Sequence, residues 1–353
     1  MIRGRLFLRV LLCLGFAAFL GCARAPQVIG RESFVFGTRV EILLAGVESE
    51  EEKSRAEAAI REVLRDFDAL HRKYHAWQPS ALTAVNEALA AGKALDVDAE
   101  MAGFIRQAAD YARRGRFRFD PGIGRLIALW GFQSDEFAAR LPDQKALAEW
   151  RANPASIAQL RLGGNHLSSE NPAVALDFGG YLKGAALDRA ARRLKAAGFR
   201  HALINIGGNV MALGEKNGAP WKIGVQHPRQ PGALALLDLR DGEAIGTSGD
   251  YQRYFELDGR RYSHLLDPKS GEPVAHTQAV TVLIVSGAES GVRSDVFSKP
   301  IFIAGDAAWQ EAARDLDARH VLRVRADGAL EVTEALYRRL RFPGTPPPLV
   351  VVP

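Results

Sequence analysis

Between Glu50 and His75 the apolar side chains Ile60, Val63, Leu64, Phe67, Leu70 and Tyr74 recur at three- and four-residue spacing. That spacing puts them on one stripe and predicts a long amphipathic helix. Asp98 to Arg114 predicts a second helix. KGAALDRAARRLKAAGF predicts a third, beginning near Lys183 and stopping at Gly198. Upstream, FVFGTRVEILL alternates as a strand does. Past the third helix, HALINIGG, WKIGVQ, ALALLDL, YQRYFEL and AVTVLIVS read as strands parted by Gly, Pro and Asp turns. Helical stretches at Ser294 to Ala304 and Ala307 to Leu316 follow, then a short strand near HVLRV. Strands outnumber any regular alternation with helices, so the fold class is α+β with antiparallel sheets.

One segment departs from this patterning. Residues 1–22 carry three arginines and no acid, then an apolar run from Val10 to Leu20 that is short for a membrane span. They read as an export signal. Its end, F-L-G-C, resembles a bacterial lipobox, with Phe19 and Leu20 in place of the usual Leu and small residue, and predicts lipidation of Cys22. The expected organisation is a lipoprotein-type signal over 1–22, a linker over 23–31, a folded domain over 32–342 and a proline-rich tail, ordered or frayed, over 343–353. Both cysteines, Cys13 and Cys22, lie in the signal, so the exported body tolerates an oxidising compartment without a disulfide framework.

Charge changes the picture little. The formal net charge is +5, and loss of the three signal arginines leaves about +2 on a body whose charges are interspersed. No basic block is interleaved with aromatic residues, which argues against nucleic-acid binding. At 47% apolar and 25% charged, the composition is that of a globular protein.

Candidate chemistry gathers in a few stretches. ALDFGGYLKGAALD places Asp177, Gly179, Gly180, Lys183 and Gly184 at a strand-to-helix junction, where backbone N–H groups and a helix N-terminus can meet a phosphate. A tight turn packing the helix on a sheet explains it equally well. INIGGNVMALG, with Gly207 and Gly208, fits either a bulge in a strand or a close approach to a planar ligand. FRFDPGIGRLIALWGF offers Asp120 as a helix cap. TSGDYQRYFELDGRRYSHLLDPKSGEP crowds Thr247, Ser248, Asp250, Tyr251, Arg253 and His264 into two strands and their turns, and His264 has the acidity suited to moving a proton.

In their order these segments resemble the ApbE family, the FAD:protein FMN transferases. FGT at Phe36 to Thr38 looks like the family's M-G-T. Tyr74, Ser80 and Asn86 fit its Y...S...N pattern, and FDPGIG with LWGF fits F-D-P-T-V-G-P-L...W-G-F. LDFGGYLKGAALD, INIGGNVMALG, TSGDYQRYF and HLLDPKSGEP follow in the family's sequence, from about Phe34 to Gly305. The resemblance implies a two-lobed, T-fold-like architecture binding FAD between the lobes. It implies transfer of FMN to a Thr or Ser hydroxyl of an exported redox-protein subunit, with release of AMP. Phe36, Tyr74, Asp120, Asp177, Gly180, Lys183, Gly207, Gly208, Thr247, Ser248 and Asp250 are then expected at the nucleotide. His264 is the candidate for proton transfer. Asp295 and the Ala186 carbonyl are expected to hold Mg2+.

The stretch SDVFSKPIFIAG departs from the family's A-D-A-L-S-T-A-L-F-V-L-G, because Lys299 stands where a Thr would join the metal shell. Lysine cannot ligate a hard cation. Its ammonium either pairs with Asp295 and touches the pyrophosphate, or leaves a weakened metal site, or turns outward. Arg116, Phe117 and Arg118 likewise stand where the family has G-G-A. Two other functions remain open for such a site: an FAD pyrophosphatase yielding FMN and AMP, and a periplasmic FAD-binding lipoprotein without turnover.

Overall fold

The computed structural model describes residues 27–353 apart from 135, 137 and 286. The signal and Cys22 lie outside the described residues. No described helix is long and apolar enough to cross a membrane.

A nine-stranded sheet organises the molecule. Its strands are β1 (Gln27–Val35), β2 (Thr38–Val47), β3 (Ala202–Ile206), β4 (Asn209–Leu213), β5 (Ala244–Gly249), β6 (Thr277–Ile284), β7 (His320–Arg325), β8 (Leu330–Thr333) and β9 (Leu349–Val352). They lie side by side in chain order, and every pairing is antiparallel except β8 with β9. One expectation is corrected here, and the tail is ordered in part. Residues 27–31, read as linker, form the first half of β1, whose register with β2 runs from Gln27↔Val47 to Val35↔Thr38. In the proline-rich tail, LVVV pairs with β8, since its β-branched run suits an edge strand.

The helices are α1 (Glu50–Lys73), α2 (Ala81–Ala90), α3 (Ala99–Arg114), α4 (Leu182–Ala196), α5 (Ser290–Ala304) and α6 (Trp309–Asp315). α1 starts on a capping box in which Ser49 accepts from the Glu52 N–H, and it buries Ile60, Val63, Phe67 and Leu70, the expected stripe. β6 is buried at every position. Val280, Val282 and Ile284 face the helices, while Ala279 and Leu283 face the 221–226/233–239 hairpin on the other side. A central strand covered on both faces is apolar throughout for that reason. A smaller cluster of Trp130, Phe132, Trp150, Phe255 and Tyr262 forms a second body beside the helical layer, and the principal cavity opens between the two.

α4 and α5 cross at backbone distance. A Cβ on Gly184 would lie 2.6 Å from the Gly291 carbonyl oxygen, and one on Gly291 would lie 2.6 Å from that of Gly184. Neither helix has a side-chain cap of its own. Each is capped by an aspartate of the other: Asp188 of α4 accepts from the Gly291 and Val292 N–H groups, and Asp295 of α5 accepts from the Gly184 N–H, all at 2.9 Å. Carboxylates at these N-termini offset the unpaired amides and the helix dipoles. Burial still pushes the Asp188 carboxyl up, against the pull of its two backbone donors.

Candidate functional site: a cationic cavity at a helix N-terminus

The cavity, about 930 Å³, is lined from β1, β2, α1, the 118–127 segment, the start of α4, β5, the 251–266 hairpin and α5. Its size suits a nucleotide-sized ligand. A second cavity of about 490 Å³ between β3–β5 and the 221–226 strand shares Gly207, Thr247, Gln226, Tyr251 and Gln252 with it.

Two hairpin tips meet at the rim. The β1–β2 turn is Phe36–Gly37 and the β3–β4 turn is Gly207–Gly208, both two-residue loops with positive φ throughout. Such loops match the twist of the flanking strands. Gly207 and Gly208 therefore make a turn, neither a bulge nor a crossing, and a Cβ at Gly207 would strike the Thr38 hydroxyl at 2.5 Å. Phe36 holds a left-handed conformation that glycine normally takes. Its ring begins an aromatic chain along the rim: Phe36 to His71 at 5.7 Å, His71 to His75 at 4.9 Å, His75 to Trp77 at 4.5 Å, with the Arg253 guanidinium 5.3 Å from the Trp77 ring.

Tyr74 lines the same wall, but its hydroxyl donates to Glu100 at 3.0 Å and its ring packs on Phe104 and Phe178. Burial, reinforced by Glu100, pushes its pKa well above the ordinary tyrosine range. Ser80 caps α2, and Asn86 exchanges two hydrogen bonds with the Leu176 backbone, fixing the segment that leads to Asp177. Asp177 then accepts from the Gly179 N–H at 2.8 Å and from Gln133 at 3.1 Å.

The opposite end is cationic. Lys183, in the first turn of α4, faces the cavity, and burial lowers its pKa while Asp295 opposes that shift. Lys299 donates to the Asp295 carboxylate at 2.6 Å and to the Asp295 carbonyl at 2.7 Å. The pair is well buried, with 13% of the Lys299 and 2% of the Asp295 side chain exposed. Lys299 therefore does not turn outward. Its stem crosses Gly180, where a Cβ would lie 2.8 Å from the Lys299 Cε. Ser298 points elsewhere, to Ser248 and the Asp295 carbonyl at 2.7 Å each, and Thr247 pairs with Thr281 at 2.9 Å. Arg253 and Arg118 complete the positive lining.

His264 lies against this cluster. Its Nδ1 is 3.1 Å from the Arg253 carbonyl, which can only accept, so Nδ1 carries the proton and Nε2 holds the lone pair. Burial, then the Arg253 charge, pushes its pKa down to about 3. The imidazole is neutral and can receive a proton.

Two expected site residues lie away from the cavity, and a third lines it with its oxygens already engaged. Asp250 is held in a fork by Arg229 at 2.7 and 2.6 Å and does not line the cavity, because the chain turns it away after β5. Asp120 lines the cavity, yet it caps no helix: its carboxylate accepts from the Gly122 and Ile157 N–H groups and from Ser156, tying two loops together. Ala186 is wholly buried inside α4, away from the cavity, and a mid-helix carbonyl is taken by the N–H four residues on. Sequence reading missed His71, His75 and Trp77, and it noted Arg118 only as a departure from the family's G-G-A. His71 lies in the last turn of α1 and His75 just past its end, so the pair was hidden beside an ordinary amphipathic stripe.

The residues present do not make a shell for Mg2+. No group of three or more His, Cys, Asp or Glu suited to a metal occurs among the described residues. Both Asp295 carboxylate oxygens are engaged, one by the Gly184 N–H and one by Lys299.

An α+β body thus gathers a helix N-terminus, two lysines and an aromatic rim around one cavity. The ApbE family model matches residues 36–322, and the chain belongs to the ApbE family. It is 36% identical over 332 residues to a Rhodobacter capsulatus protein named FAD:protein FMN transferase, covering 94% of this chain and 62% of that longer protein. A Klebsiella pneumoniae protein of the same name is 29% identical, with 79% of each chain covered. The ApbE protein of Thermotoga maritima superposes with a TM-score of 0.78 at 29% identity, covering 89% of this chain and 100% of that one. The apo flavinyl transferase ApbE of Pseudomonas stutzeri gives 0.76 at 27%, covering 91% and 98%.

Proposed function

We propose that the protein transfers FMN from FAD to a Thr or Ser hydroxyl of an acceptor protein and releases AMP. The observation that carries this reading is the meeting of the α4 N-terminus, Lys183, Lys299 and the neutral His264 in one cavity. The pyrophosphate lies at the α4 N-terminus, where Gly179 and Gly180 bring the backbone close. The flavin lies against Phe36, Tyr74 and Trp77. Gly207 and Thr247 line the rim nearest the second cavity.

In the transfer, the acceptor oxygen bonds to the FMN phosphorus and the bridging P–O bond breaks, its electron pair leaving on AMP. The hydroxyl proton passes to Nε2 of His264. Cations aimed at the phosphates stabilise the charge that gathers on the leaving group. Anionic pyrophosphate beside His264 also offsets the field of Arg253, Lys183 and Lys299, raising the basicity of the imidazole when substrate is bound.

The lipobox-like ending at Cys22 and the preceding apolar run support an exported, lipid-anchored protein whose acceptor is an exported redox-protein subunit. Incubation with FAD and a D-x-x-[S/T]-G-A-[S/T] acceptor tests the activity. Flavin-labelled acceptor with stoichiometric AMP supports it. AMP with free FMN alone identifies a pyrophosphatase, and FAD binding without AMP identifies a storage protein.

A further inference from the structure

We propose that Lys299, held by Asp295, takes the place of a divalent cation at the FAD pyrophosphate, so that nucleotide binding in this chain does not require magnesium. The proposal deepens the function above and rests on it for the identity of the nucleotide.

Four observations carry it. The ammonium is fixed by two acceptors of one residue, the Asp295 carboxylate at 2.6 Å and its carbonyl at 2.7 Å. The remaining Asp295 oxygen accepts from the Gly184 N–H at 2.9 Å, so both carboxylate oxygens are already engaged by the protein. Ser298, the nearest hydroxyl in sequence, is turned to Ser248 and cannot rebuild a shell. Finally, the lysine stem lies across Gly180 in the approach to the α4 N-terminus, which places the ammonium beside the phosphate-binding amides.

Charge accounting supports the same reading. A divalent cation on one carboxylate leaves a positive remainder, whereas a lysine–aspartate pair is neutral. The remainder must come from other cations, and Lys183, Arg253 and Arg118 line the same cavity. Arg118 stands, like Lys299, at a position where the resembled family pattern has no cation. Two departures of one sign converge on one cavity, as a replacement of charge requires. During transfer Lys299 forms and breaks no covalent bond. It neutralises the phosphate oxygens while the acceptor oxygen bonds to phosphorus, AMP leaves with the bridging electron pair and His264 takes the proton.

The test is FAD affinity, read by flavin fluorescence on the full chain in detergent, in excess EDTA and in magnesium. We expect the wild-type Kd to agree within about twofold in the two buffers, and Lys299→Thr to bind about tenfold or more weakly in EDTA, the loss of a charge-assisted hydrogen bond, and to recover with magnesium. Wild-type binding that tightens about tenfold with magnesium overturns the proposal. So does unchanged affinity of Lys299→Met in EDTA, because that variant keeps the stem over Gly180 and removes only the charge. AMP release in the same samples separates this inference from the functional reading. Wild type that binds FAD equally in both buffers yet releases no AMP with acceptor supports the substitution of charge and refutes transfer.

Discussion

The two ends of the cavity are built on opposite principles. At the cationic end, Asp295 caps a neighbouring helix and clamps a lysine, and Asp188 returns the cap across a glycine crossing. At the aromatic end, Phe36, His71, His75 and Trp77 touch one another in a row along an open rim. The first end is buried and its aspartates are paired on every side, so it holds the clamped lysine at low reorganisation cost. The second presents apolar faces that accept a planar group by contact. Substitutions should therefore act differently at the two: on stability and chemistry as well as affinity at the cationic end, on ligand affinity alone at the aromatic rim.

The largest effect is expected for Asp295→Ala. It strands the Lys299 ammonium and the Gly184 N–H in a buried place, and should lower the unfolding free energy by roughly 3 kcal/mol in urea titration. Wild-type-like stability would show that the clamp does not hold the α4–α5 crossing. Next, His264→Asn should reduce the rate of AMP release about a hundredfold, with little change in FAD affinity. The same residue predicts a pH effect. Its pKa lies below the ordinary 6.5, so the unfolded chain binds its proton first. Its contribution is complete above pH 6.5 and is lost as pH falls from there toward 3. The urea midpoint should drop less between pH 7 and pH 5 in His264→Asn than in wild type.

Trp77→Ala probes the other end and should weaken FAD binding by about tenfold at most, with kcat retained. An equal loss in kcat would erase the division between the ends. The smallest change is Gly180→Ala. The new methyl meets the flexible Lys299 stem 2.8 Å away, so the lysine shifts and the fold stands. FAD binding in EDTA should weaken about threefold, the partial loss of one hydrogen bond.

The contrast also explains what the sequence made legible. Lys183, Asp295 and Lys299 sit in short contiguous motifs, where helix spacing sets the relation of the last two, and all three line the cavity. The α+β class followed from periodicities that survive folding: the α1 stripe and the apolar run of β6. The aromatic rim was invisible because its members come from a hairpin turn, a helix end and a loop, and only the tertiary fold joins them. Asp250 was misjudged because its partner, Arg229, lies on the far hairpin. Asp120 read as a cap since F-D-P-G is compatible with one, whereas its oxygens answer amides at positions 122 and 157. The strand of the tail was obscured by the prolines before it.

The order of the main sheet bears on how the molecule comes into being. Because β1 to β9 lie side by side in the order in which they are synthesised, each arriving strand finds its partner already delivered. Assembly can proceed from one edge to the other, paused longest by the excursion between Val47 and Ala202 that supplies α1 to α4. Non-local pairing is slow when partners must search for one another. A chain emerging N-terminus first hands this sheet its strands in the sequence it needs, and the cavity closes only when α5 arrives with Asp295 and Lys299.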